Sequence, residues 1–181
     1  GDDYRFELEL CGVKLFCDKQ NPITILSGDR VTLTAKKETK NYIYDTRDAV
    51  AEEDETSVSA AIYAKCDLVL GGKGELVVIS SQNQGIHTKD DLEVKNLTLS
   101  VTCEKNALKG NDSVSILSGT LTLIARSGDG IKTKNTDLSS KGKQRGTVTV
   151  TGGTVCIDAA RDGIDAAYDV DIAQEAIVTI S

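Results

Sequence analysis

Five hydrophobic residues recur along the chain at nearly constant spacing: Ile62, Ile86, Leu108, Ile131 and Ile164, separated by 24, 22, 23 and 33 residues. The turns that carry them repeat as well, as "QGIHTKDDL" from Gln84, "DGIKTKNTDL" from Asp129 and "DGIDAAYDVDI" from Asp162. No other feature constrains the fold as strongly. A unit of about 23 residues is too small to bury its own apolar face and must stack on its neighbours. After each anchor comes a short alternating segment: "DLVL" at 67, "DLEV" at 91, "SVSI" at 113, "TVTV" at 147 and "DVDI" at 169. A turn follows, then a second such segment: "ELVVIS", "NLTLSV", "TLTLIA", "TVCIDA" and "AIVTIS".

Aligned on the anchors, the inward positions form columns. Leu68, Leu92, Val114, Val148 and Val170 make one, and Leu76, Leu97, Leu121, Val155 and Val178 another. Val77, Thr98, Thr122, Cys156 and Thr179 form the outward column of the second segment. Alternation of period 2 inside such a repeat predicts an all-β fold, a single-stranded parallel β-helix whose coils stack about 4.8 Å apart. The bias of parallel crossovers makes it right-handed. An amphipathic helix fails on the period. A β-sandwich is the alternative, but it gives no reason for the same turn chemistry to return at constant spacing. The composition agrees: no Met or Trp, two Phe, one Pro, and an excess of Thr, Val, Ile and Ser.

The chain of 181 residues suits one domain, expected to be a segment of a longer protein because "GDDYRFELEL" is strand-like from the start. Ile23 reads as an earlier anchor. It is followed by a charged loop near 36–57, expected outside the core, and the long fourth spacing holds a second insertion, "NTDLSSKGKQRG" at 135–146. The net charge of −7 argues against general nucleic-acid binding. Cys11, Cys17, Cys66, Cys103 and Cys156 form no CxxC pair, and with a single His the chain has no Cys/His zinc pattern. They read as buried free thiols packing as small hydrophobes. No apolar run approaches the roughly 18 residues of a membrane span.

In order, "AAIYAKCDLVLGGKGELVV", "NQGIHTKDDLEVKNLTLSV", "NALKGNDSVSILSGTLTLIA", "GDGIKTKN" and "RDGIDAAYDVDI" resemble a family of bacterial, largely clostridial, extracellular carbohydrate-binding proteins. The likeness runs from about Phe6 to Ile172. Its best-described type is a cellulose- and acid-sugar-binding protein with a polysaccharide-lyase-like right-handed β-helix and bound calcium. The resemblance implies a non-catalytic module for plant cell-wall polysaccharide such as pectin, acidic or cellulosic, at the cell surface or outside the cell. The five Cys and the loop at 36–57 depart from the family pattern.

On the turn segment the anchor points inward, so its neighbours point outward. One outward column is Tyr63, His87, Lys109, Lys132 and Asp165; the next is Lys65, Lys89, Asn111, Lys134 and Ala167. The candidate sugar-binding residues are therefore Tyr63, Lys65, His87, Lys89, Lys109, Lys132 and Lys134. Lysines on one strand face of an acidic protein attract carboxylated sugars, and Tyr63 offers a ring for stacking. The plainer alternative is lysines that solvate an exposed sheet, with His87 a polar member of the ladder. Acids gather at the coil corners: Asp90, Asp91, Asp112, Asp129, Asp162 and Asp165 are candidate calcium ligands, since calcium takes six to eight oxygens. Each is otherwise a turn-capping Asx side chain. Two other functions remain open. A pectate-type lyase needs a base, for which Lys109 or Lys132 is available, whereas Arg126, Arg145 and Arg161 lie outside the lysine columns. A structural surface adhesin needs neither ligand nor base.

Overall fold

A computed structural model describes residues 4–49 and 59–181. Among them there is no helix, hence none long and apolar enough to cross a membrane. Each coil supplies one strand to each of three parallel sheets. The first sheet holds β1 (Arg5–Leu10), β4 (Arg30–Ala35), β7 (Asp67–Gly72), β10 (Asp91–Val94), β13 (Ser113–Ile116), β16 (Thr147–Val150) and β19 (Asp169–Ile172). The second holds β2 (Lys14–Cys17), β5 (Lys40–Asp45), β8 (Glu75–Ser80), β11 (Leu97–Cys103), β14 (Gly119–Ala125), β17 (Thr154–Ala159) and β20 (Ile177–Ile180). The third, which carries the turn anchors, holds β3 (Ile23–Ile25), β6 (Ala60–Ala64), β9 (Gln84–Thr88), β12 (Leu108–Gly110), β15 (Ile131–Lys132) and β18 (Ile164–Asp165). Every strand pair in these sheets is parallel and joins consecutive coils, the arrangement of a parallel β-helix.

The anchor column is continuous, with Ile62, Ile86, Leu108, Ile131 and Ile164 paired in register. The first four are fully buried. Ile164 is half-buried, because β18 is an edge strand and no coil covers its far side. The column Leu68, Leu92, Val114, Val148 and Val170 is reproduced strand for strand. The second column needs a correction. Leu99, not Leu97, pairs with Leu76 and Leu121, and Ser100, not Thr98, pairs with Val77 and Thr122. A slip of two residues keeps every side chain on its own face, so alternation is blind to it. The turn sets the register: Asn96 and Gly119, beside the start of β11 and β14, both have positive φ, 55° and 118°.

The expected loop at 36–57 is also corrected in part. Lys40–Asp45 forms β5, and Asn41, Ile43 and Asp45 are buried. Its alternation is real, but two of its three inward positions are polar, and each is satisfied by hydrogen bonds. Asn41 Oδ1 accepts the Val13 N–H at 2.9 Å, and its amide donates to Glu75 O at 3.1 Å. Asp45 accepts Arg47 Nε and Nη2, each at 2.6 Å, and the Ser80 hydroxyl at 3.1 Å. Residues 50–57 of that predicted loop lie outside the described residues. The insertion at 135–146 is a loop as expected, closed on itself by a Leu138–Gln144 bridge. The cysteine reading holds for Cys66 and Cys103, whose thiols burial pushes up to about 11 and about 12. It fails for Cys11, in the turn after β1, and for Cys156, on β17, which are exposed, and Cys17 is half-buried.

Candidate functional site

The outer face of the third sheet carries the predicted ladder in register: Tyr63 beside His87, His87 beside Lys109, Lys109 beside Lys132 and Lys132 beside Asp165. Exposure along it does not follow the expectation. Tyr63 and His87 are only 2% and 3% exposed. Alternation assigns a residue to a face but does not say whether that face is open. The chain leaving β5 runs beside this end of the sheet. Arg47 donates to Ala60 O at 3.3 Å, and Asn83 donates to Asp48 O at 3.4 Å. Tyr63 therefore does not offer an open ring face to a sugar.

His87 is a neutral imidazole. Burial, and then the positive charges of Lys109, Lys89 and Lys134, outweigh the bond to Asn111 and push its pKa down to about 3. The Nε2–Asn111 Oδ1 distance is 3.0 Å, so the proton sits on Nε2. Nδ1 is buried without a hydrogen-bond partner among the described residues. An edge-on contact with the Tyr63 ring, 5.8 Å between centroids, fixes the imidazole further. Three lysines from three coils thus act on one imidazole.

Along the parallel column, Lys65 and Lys134 are exposed, Lys89 is half-buried and Asn111 is buried; Lys109 is half-buried in the first column. Lys132 differs from the rest. Its ammonium donates to Asp129 Oδ2 at 2.7 Å and to Asp165 Oδ2. The structure turns this residue from a candidate ligand contact into the internal counter-ion of a buried acid. Burial would raise the Asp129 pKa, but the Lys132 hydrogen bond and the Asp162 N–H outweigh it, and the carboxyl is held below its usual range.

The corner acids fall into two groups. Asp129, Asp162 and Asp165 bring oxygens within 4.8 Å of one another, the one such trio among the described residues. Asp129 also works as a backbone cap: its Oδ1 accepts the Asp162 N–H at 3.2 Å, and its own N–H donates to Asn106 Oδ1 at 2.9 Å. The second group is Asp90, Asp91 and Asp112, joined by Asp67. Arg145 and Lys143 of the insertion loop reach into it, at 2.6 Å from Asp112 and 3.2 Å from Asp91. Ser113 donates to Asp91, and Asn135 to Asp112, both at 2.5 Å. Asp90 is the strained member. Burial, then Asp112, Asp67 and Asp91, raise its pKa to about 6, which Arg145 only partly offsets.

The sequence reading passed over an aromatic cluster on the second sheet, in which Phe16 is exposed and Tyr42 and Tyr44 are half-buried. Phe16 and Tyr44 stack across β2 and β5, and Tyr42 lies beside Tyr44 with Lys14 and Lys40 over its ring. Its signal was present, as adjacent outward aromatics in "KLFC" and "KNYIYD", but the second segment had been assigned to a loop.

A three-sheeted parallel β-helix with a lysine-bearing outer face and acidic corners defines a class of elongated proteins that present flat, repetitive surfaces. The chain belongs to the family of carbohydrate-binding domain-containing proteins, whose family model matches residues 1–181. A protein of that description from Acetivibrio thermocellus is 35% identical over 102 residues, which is 56% of this chain and 36% of that protein. The chain therefore aligns with about a third of that relative's length. Among solved structures it is similar to the polysaccharide lyase-like protein from C. thermocellum, determined as a gadolinium derivative. The TM-score is 0.80 and the identity 29%, over 100% of this chain and 77% of the other.

Proposed function

We propose that this chain is a non-catalytic, extracellular binding module that prefers acidic plant cell-wall polysaccharide of the polygalacturonate kind. The observation that carries the reading is the ladder that sets Lys109 between His87 and Lys132, with Lys65, Lys89 and Lys134 in the neighbouring outward column, on a protein of net charge −7. A positive stripe on an acidic protein attracts anions locally. Coils about 4.8 Å apart offer a cation at each step, so that several weak exposed pairs act together along one chain. Calcium is part of the proposal. It would relieve the repulsion gathered on Asp90, with Asp112 and Asp91 as fellow ligands in exchange for Arg145 and Lys143; at the other corner Lys132 pairs with both Asp129 and Asp165. Bound at the Asp90 corner, calcium would pin neighbouring coils together and stabilise the fold by mass action.

A second reading, a polysaccharide lyase, rests on Lys109, half-buried on the same outer face, as the base that such chemistry needs. The two readings separate in one experiment: affinity electrophoresis in polygalacturonate, with and without chelator, followed by ultraviolet absorbance of the mixture. Retardation without new absorbance supports a binding module. Absorbance from unsaturated uronide product supports a lyase. Neither retardation nor product overturns both.

A further inference from the structure

We propose that the corner between the second and third sheets carries a phosphate-binding site, formed by Arg161, Lys105 and Asn106, which takes free phosphate or a phosphate monoester on a sugar. Lys105, Gly128 and Arg161 follow β11, β14 and β17, neighbouring strands of one sheet, and so stand on three successive coils. The backbone stitches the corner together: Ser127 N–H donates to Glu104 O at 2.7 Å, and Arg161 N–H to Gly128 O at 3.2 Å. With coils about 4.8 Å apart, the backbones that carry the two cations are separated by roughly 10 Å. A cleft of about 260 Å³ is lined by Lys105, Asn106, Ser127, Gly128 and Arg161. A Cβ on Gly128 would lie 2.5 Å from the backbone carbon of Lys105 and 2.7 Å from the Asn106 nitrogen. The middle coil therefore gives backbone, and no side chain, to this part of the cleft.

The donors come from both ends of that cleft. Arg161 is exposed, and its guanidinium has no hydrogen-bond or ion-pair partner among the described residues. Asn106 commits its Oδ1 to the Asp129 N–H at 2.9 Å, so what it offers a ligand is its NH2 group. Lys105, half-buried, adds a second positive charge on the coil of Asn106. Ser127 is wall rather than donor, because its hydroxyl already donates to Glu104 O at 2.7 Å. A carboxylate has two oxygens in one plane and is satisfied by the Arg161 fork alone. A phosphate monoester has three diverging oxygens: two take the fork and the third reaches the Lys105–Asn106 lip. Its charge of about −1.5 to −2 at pH 7 matches the two cations. Asp129, the carboxylate that feels the Arg161 charge, is fully buried and already bonded to Lys132, which leaves the guanidinium to an outside anion.

This corner is separate from the lysine stripe and its ligand from polysaccharide, so the two readings fail separately. The test is isothermal titration calorimetry of the whole chain, in phosphate-free buffer at low salt, with inorganic phosphate, glucose 6-phosphate and galacturonate. Both phosphate ligands should bind, and galacturonate should bind at least about tenfold more weakly. Tighter binding of glucose 6-phosphate than of the free ion identifies a sugar phosphate as the ligand; equal or weaker binding identifies free phosphate. Arg161→Gln should weaken phosphate binding about tenfold, with an unchanged melt and unchanged retardation by polygalacturonate. Arg161→Lys, which keeps the charge without the fork, should also bind more weakly than the parent. The proposal is overturned if neither phosphate ligand binds, if Arg161→Gln binds phosphate as the parent does, or if galacturonate binds as tightly as phosphate. Loss of polygalacturonate retardation in Arg161→Gln would put both ligands at one site and overturn it as well.

Discussion

Replacing Lys132 by Met removes the counter-ion of a carboxylate that has no other cation within salt-bridge distance among the described residues. Asp129 is fully buried, Lys132 is 24% exposed and Asp165 is 37% exposed. Truncating one partner of a buried pair costs roughly 3–5 kcal/mol, because the other charge is left without compensation. Lys132 reaches solvent, and Asp129 keeps the Asp162 N–H, so screening and this remaining bond reduce the expected cost to about 2 kcal/mol at pH 7. For a chain of this size that corresponds to a melting temperature lower by roughly 4–8 °C. The pH dependence identifies the cause. In the parent, the folded-state pKa of Asp129 is depressed. Its contribution to stability is therefore present above the unfolded-state value of about 3.9 and is lost as pH falls through the folded value. In the variant, burial acts on Asp129 without Lys132 and raises its pKa, so stability is fullest at acid pH and falls as pH rises through the raised value. The gap between the two proteins should be widest near neutrality and close toward pH 4, as followed by thermal melts in a pH series. Adding Asp129→Asn to the Lys132→Met background should recover most of the loss, as a coupled pair requires. Equal melting temperatures at pH 7, or a gap that does not change with pH, would refute the assignment of Lys132 as counter-ion.

Other outcomes follow from the same geometry. Lys65→Ala with Lys109→Ala should weaken retardation by polygalacturonate and flatten its salt dependence, with little change in the melt; undiminished binding would reduce the stripe to a solvated sheet. Asp90 has its folded-state pKa raised to about 6, so its favourable contribution is present below about 3.9 and lost as pH rises through 6. Asp90→Asn should then stabilise the calcium-free protein at pH 7 by roughly 1–2 kcal/mol, after allowance for partial exposure. It should also reduce any melt increase that calcium produces, and a destabilised Asp90→Asn would contradict this. Gly110→Ala should destabilise by at least about 2 kcal/mol, because the new Cβ would lie 2.1 Å from the backbone oxygen of Ser113. A denaturation midpoint equal to that of the parent would mean that the close approach is not obligatory.

The sequence alone determined the architecture. The anchors Ile62, Ile86, Leu108 and Ile131 and the column from Leu68 to Val170 follow from two local rules, a repeat near 23 residues and an alternation of period 2, and neither needs knowledge of distant contacts. It also determined which residues share a ladder, so Tyr63, His87, Lys109 and Lys132 could be aligned before any coordinates existed. Three things were decided only by the tertiary structure. The register of β11 is set by backbone torsions at the turns, Asn96 and Gly119 among them, which a two-residue slip leaves invisible to the pattern. The identity of β5 was hidden because its inward Asn41 and Asp45 are satisfied by Val13, Glu75, Ser80 and Arg47, partners up to 35 residues away. The accessibility of the ladder and the pairing of its charges depend on what lies across the corner and on the next coil: Asp129 and Asp165 on Lys132, and Arg145 on Asp112. Period and alternation are properties of the chain and can be read along it. Burial and electrostatic pairing are properties of the space between coils, and they exist only once the coils are stacked.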